Sequence, residues 1–67
     1  RNLKKQGGAD GMIGEIGIVK ETLNPHGHVL VHGELWVAEC EGKIMEGEHV
    51  IVESVEGLKA RVKINPL

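Results

Sequence analysis

Sixty-seven residues with a net charge of −2, 40% hydrophobic and 27% charged, allow one small domain. They are too apolar for a disordered chain and lack the basic surface that nucleic acid or anionic lipid requires. Trp36 is the one aromatic ring, so Val, Ile and Leu must build the core, and Cys40, the one cysteine, can form neither an internal disulfide nor a zinc site by itself.

Residues 1–11 read as a linker, basic at first (Arg1, Lys4, Lys5) and then small (Gly7, Gly8, Ala9, Asp10, Gly11). The start at Arg1 without a Met suggests a piece of something longer. No run of about 18 apolar residues is present to span a bilayer, and no signal-peptide pattern is present. Order is expected from Met12 or Ile13 onward, as short apolar runs cut by turn residues.

The first expected strand is Glu15–Thr22, stopped by Asn24-Pro25-His26-Gly27, where Gly27 is read as the positive-φ residue of a turn. The second is His28–Val31, closed by His32-Gly33. The third, Glu34–Cys40, offers two faces. Trp36, Ala38 and Cys40 are taken as inward, because a single Trp supplies the most apolar area per residue. Leu35 and Val37 then face out. The fourth, His49–Val55, is apolar on both sides and reads as a strand covered on both faces. In the fifth, Leu58–Ile64, Leu58, Ala60, Val62 and Ile64 alternate with Lys59, Arg61 and Lys63, which is period two with one buried face.

Ten glycines and many β-branched residues work against a long helix. Five short strands joined by tight turns fit an all-β closed barrel, which also removes exposed strand edges. A five-stranded Greek-key barrel of the OB type meets this with the fewest residues.

The order of residues from Met12 onward is similar to the C-terminal domain of the NfeD family. The match runs through Gly14-Glu15-Ile16-Gly17, Leu23-Asn24-Pro25-His26-Gly27, Gly33-Glu34-Leu35-Trp36-Val37-Ala38 and Ile44-Met45-Glu46-Gly47-Glu48-His49-Val50-Ile51-Val52, and covers roughly residues 12–64. The resemblance implies an OB-fold domain at residues 12–67 that follows membrane helices and works with a stomatin- or flotillin-like membrane scaffold protein. Some longer members add a serine protease domain. It also implies a parent protein in the cell membrane. The basic residues Arg1, Lys4 and Lys5 would then lie just past the last membrane helix, which puts the domain on the cytoplasmic side.

The side chains that carry chemistry point away from catalysis. Ser54 and Thr22 sit in no nucleophile elbow, and Cys40 reads as a small buried hydrophobe. His26, His28 and His32 lie close together in sequence, with His49 apart. They read as polar strand-end residues and not as metal ligands, since no second cysteine or carboxylate motif joins them. Lys43 in Glu41-Gly42-Lys43-Ile44-Met45 loosely resembles a carrier-domain lysine but lacks the flanking context. Lys59, Arg61 and Lys63 read as the solvated face of the last strand. Single-strand nucleic-acid binding, the usual alternative for an OB barrel, wants stacking rings on a basic groove, and the rings are missing.

The expectation is therefore a non-catalytic interaction module with no cofactor, no metal and no nucleic-acid partner. It would bind a membrane scaffold protein or a copy of itself through apolar side chains left outside the core, namely Leu30, Leu35 and Val37.

Overall fold

The computed structural model describes residues 10–66. Five strands follow a 3-10 turn at Asp10–Met12: β1 (Ile16–Glu21), β2 (His26–Val31), β3 (Glu34–Glu39), β4 (His49–Glu56) and β5 (Lys59–Ile64). They close into a barrel in the order β1-β2-β3-β5-β4. Neighbours are antiparallel except β3 and β5, which run parallel. The fold is the five-stranded Greek-key barrel that the turn spacing predicts. Of the expected linker, residues 1–9 lie outside the described residues, and Asp10 and Gly11 belong to the 3-10 turn.

Small branched side chains line the interior because a five-stranded bore leaves room for little else. Val19, Val29, Val31, Ala38, Val50, Val52, Ala60 and Val62 are all at most 1% exposed. Leu23, also fully buried, bridges to Ile44. The two residues exchange main-chain bonds, each amide donating to the other's carbonyl at 2.8 and 2.9 Å. Cys40 is buried just beyond the end of β3, and Met12 is buried as well.

One turn accounts for the largest difference between expected and observed strand ends. Gly27 is a buried residue of β2 opposite Ala38, with no positive φ, so β2 begins at His26 and not at His28. The position is glycine for lack of space: a Cβ there would stand 2.5 Å from the Glu21 carbonyl oxygen and 2.6 Å from that of Thr22. The β2–β3 reversal is made by His32 (φ 53°) and Gly33 (φ 76°), both left-handed, as a two-residue hairpin turn of the primed kind requires. Histidine tolerates that region better than most side chains.

The inward face of β3 is the one expected, with Ala38 and Cys40 buried and Leu35 and Val37 outside. Trp36 is on that inner side but only half-buried, because its ring packs against the core without fitting inside so narrow a bore. Alternation also fails at the ends of β5. Leu58 belongs to the β4–β5 turn and is 83% exposed, and Ile64 is exposed at the strand's last position. In β4, Val50 and Val52 are buried, whereas Ile51 is only half-covered on the outer face.

Candidate partner-binding surface

The outer face of half the barrel is apolar. The β1 alternation that buries Gly17 and Val19 turns Ile16 and Ile18 outward. Ile16 stands opposite Ile51 of β4, Ile18 opposite Leu30 of β2, and Leu30 opposite Leu35 of β3. These register partners form an aliphatic row across four strands, and cross-strand neighbours on one face touch. Val37 lies two residues beyond Leu35 on the same face, opposite His28. Leu35 is 60% exposed and Val37 43% exposed. Leu30 is half-buried, less open than expected, because it sits between Ile18 and Leu35.

At the β3 end of this row is a groove of about 540 Å³, lined by Glu34, Leu35, Trp36, Val37 and Leu58. Expectation from sequence covered Leu35 and Val37 here but not Trp36, Leu58, Ile16 or Ile18. The signal for the two isoleucines is the Ile16-Gly17-Ile18-Val19 alternation, where glycine on one side marks the crowded interior.

Charge begins two residues past Val37 on the same face of β3, around Glu39. Its carboxylate accepts from Arg61 Nη1 at 2.8 Å and lies 3.1 Å from Lys59 Nζ and 3.3 Å from His26 Nε2. The Lys59 ammonium, followed by the Arg61 guanidinium, holds the Glu39 carboxyl below the usual carboxylate range. Lys63 Nζ stands 3.7 Å from Glu53. Each cation of the basic stripe on β5 thus has a carboxylate neighbour.

The histidines that were candidate ligands are spread apart, each against its own glutamate. His26 faces Glu39, His28 Nδ1 bonds Glu21, and His32 Nε2 lies 2.8 Å from Glu15 Oε1. Among the described residues no three His, Cys, Asp or Glu side chains gather closely enough to hold a metal ion. Burial pushes the Cys40 thiol up from its ordinary pKa, and among the described residues no histidine bonds to Cys40 or Ser54. Thr22 has a structural task, since its hydroxyl accepts from the Glu46 amide at 3.0 Å. Lys43 is exposed beside the Leu23–Ile44 bridge, away from any hairpin tip. Among the described residues no helix is long and apolar enough to cross a membrane.

The family model described as the NfeD-like C-terminal, partner-binding domain matches residues 9–63. The chain is 49% identical over 57 residues to the membrane-bound protease PH1510 of Pyrococcus horikoshii, covering 82% of this chain and 13% of that protein. It is 34% identical over 58 residues to the uncharacterized protein MJ0826 of Methanocaldococcus jannaschii, covering 84% of this chain and 42% of that one. The chain thus spans less than half the length of these relatives. Its fold is similar to the C-terminal domain of the stomatin operon partner protein 1510-C from Pyrococcus horikoshii, with a TM-score of 0.85 and 44% identity over 92% of this chain and all of that one. It is also similar to the soluble domain of a Corynebacterium glutamicum membrane protein implicated in regulation of membrane protease activity. There the TM-score is 0.79 and the identity 27%, over 84% of this chain and 95% of that one.

Proposed function

This chain belongs to the NfeD family as its C-terminal, partner-binding domain, and from that premise we propose that it is a non-catalytic docking module for a stomatin- or flotillin-like membrane scaffold protein. The residues ahead of the 3-10 turn are its tether to a membrane-anchored parent protein, on the cytoplasmic side. The observation that carries the reading is the aliphatic row on the outside of a barrel whose interior is already filled. Ile16, Ile18, Leu30, Leu35 and Val37 contribute nothing to the bore, and a contiguous exposed apolar surface marks an interaction site. Leu30, Leu35 and Val37 are the proposed contact residues. Among the described residues no histidine or carboxylate bonds to Ser54 or Cys40, and the Cys40 thiol points to the Leu23 carbonyl, which is consistent with a binding role. The pairing of Lys59, Arg61 and Lys63 with carboxylates supports a protein partner over single-stranded nucleic acid.

The test is binding of the domain to a stomatin-like protein reconstituted in lipid vesicles, compared with the double variant Leu35→Glu, Val37→Glu. Both positions are exposed, so the variant keeps the wild-type circular dichroism spectrum. Binding should fall by at least about tenfold, the loss expected when 1.4 kcal/mol of apolar contact is removed. Unchanged affinity in a folded variant would sink the assignment of this face.

A further inference from the structure

Part of β3 has a strand on one side only. β2 pairs along its whole length, from Val31 opposite Glu34 to His26 opposite Glu39. β5 joins the other side only at Val37, opposite Lys59, and follows to Glu39. The cause is the β4–β5 turn: the chain reverses at Gly57 and Leu58, so no residue of β5 stands opposite Glu34, Leu35 or Trp36. Among the described residues no other strand takes that edge. Sheets normally cover or charge such an edge, because it is a template for another chain.

The groove lies along this edge. Successive residues of a strand point to opposite faces. A hollow lined by four consecutive residues, Glu34 to Val37, therefore runs along the strand's margin and is not confined to one face. Trp36 rises into it from the inner side, Leu35 and Val37 from the outer side, and Leu58 lines it from the β4–β5 turn. An open strand edge beside alternating apolar positions is the geometry of recognition by strand addition, in which main-chain bonds supply affinity and alternate side-chain sites supply specificity.

Size and charge identify the occupant. Main-chain bonding alternates along a strand, and the Cys40 amide bonds the Pro25 carbonyl on the β2 side. Of this three-residue edge, therefore, only Leu35 turns its N–H and C=O to the open side. So short an edge, beside a groove of about 540 Å³, suits a short peptide. A second copy of this chain seated there would bury far less than the roughly 800 Å² per partner of a stable interface. Glu34 is the one charged residue lining the groove, and unlike Glu39 and Glu53 it has no ion pair among the described residues. Its carboxylate calls for a cation on the ligand.

We propose that the Leu35 main chain, at the open edge of β3, and the groove beside it bind an extended peptide by strand addition, one with apolar residues at alternate positions and a lysine or arginine set against Glu34. This rests on the reading of the apolar exterior as the docking face and specifies how a partner segment is held there.

The probe is a capped hexapeptide alternating valine and lysine, titrated into the ¹⁵N-labelled domain. Saturable shifts should fall on the Glu34–Val37 and Leu58 amides, with slowed hydrogen exchange at Leu35, whose amide alone among Glu34–Trp36 faces the open side. Methylating the peptide's main-chain nitrogens should weaken binding by at least about tenfold. Glu34→Lys, at an exposed position, should reverse the preference toward a peptide with glutamate in place of lysine. No saturable shift up to millimolar peptide, or equal binding of the methylated peptide, would overturn strand addition. The two readings fail separately. If the Leu35→Glu, Val37→Glu variant binds the scaffold protein normally, the partner assignment falls whatever the peptide does. If that variant loses the scaffold while the peptide shows no main-chain dependence, only the strand-addition mode falls.

Discussion

Gly27→Ala adds one methyl group at a position that, by its strand conformation, any residue should accept. The added Cβ would meet the Glu21 and Thr22 carbonyl oxygens at 2.5 and 2.6 Å and a Leu23 methyl at 2.9 Å. An ordinary carbon–oxygen approach is about 3.3 Å, so the main chain on one side must retreat by about 0.8 Å. It has little freedom to do so. Glu21 is held opposite His28, and Leu23 is held by two main-chain bonds to Ile44. Overpacking costs about 1–3 kcal/mol, and a clash with fixed main chain belongs at the upper end. Lower chain entropy in the unfolded state returns about 0.4–1 kcal/mol. The net loss of about 2 kcal/mol is a large part of the roughly 3–5 kcal/mol available to a domain of this size. At about 4–8 °C per kcal/mol, the melting temperature should drop by roughly 8–16 °C. Thermal and urea unfolding followed by circular dichroism measure this, with Gly11→Ala as control, since an added Cβ there meets nothing within 4 Å. If the two variants melt together, the close approach does not constrain the fold.

Leu23→Ala empties a fully buried site and should cost about 3–5 kcal/mol, enough to abolish the dispersed amide spectrum at room temperature. Trp36→Ala, at a half-buried site, should cost less, and the reverse order would refute the packing described. Glu39, held below the usual carboxylate range chiefly by Lys59, contributes stability that is fully present above its unfolded pKa of about 4.3. That contribution is lost as pH falls from there through its lower folded value. Glu39→Gln should therefore flatten the acid limb of urea midpoints plotted against pH, most clearly at low salt because the cluster is exposed. Cys40, buried and with its thiol pushed up, should react with a thiol reagent only as fast as the domain opens. Labelling at the rate of an exposed cysteine would place it outside the core.

The barrel was legible because its strands are separated by turn residues and its best strand alternates without a break. Side-chain direction was legible where small residues sit inside, as at Ala38 and Ala60. Gly27 misled because sequence cannot tell a glycine chosen for its φ from one chosen for its size, and that shortened the expected β2 by two residues. Leu58 misled because period two continues through a turn that the strand does not. Trp36 was assigned to the correct side of β3 but to too deep a position, since the width of the bore follows from closure and not from any local pattern. The aliphatic row on the exterior was half legible. Leu30, Leu35 and Val37 follow from alternation within single strands, but their continuity with Ile16 and Ile18 depends on register between strands, which no single run of residues encodes.

The surface chemistry favours a protein partner over a nucleic-acid single strand. An OB domain that binds single strands needs exposed rings beside unpaired cations, because stacking and phosphate contact supply its affinity. Here the cations of β5 are engaged by Glu39 and Glu53, and the one ring is half-buried at the margin of β3 beside Leu35 and Leu58. Filling the bore with valine and alanine leaves the leucines and isoleucines of the strands themselves to the exterior. Exposed or half-covered there, they supply the apolar area that a protein partner would cover.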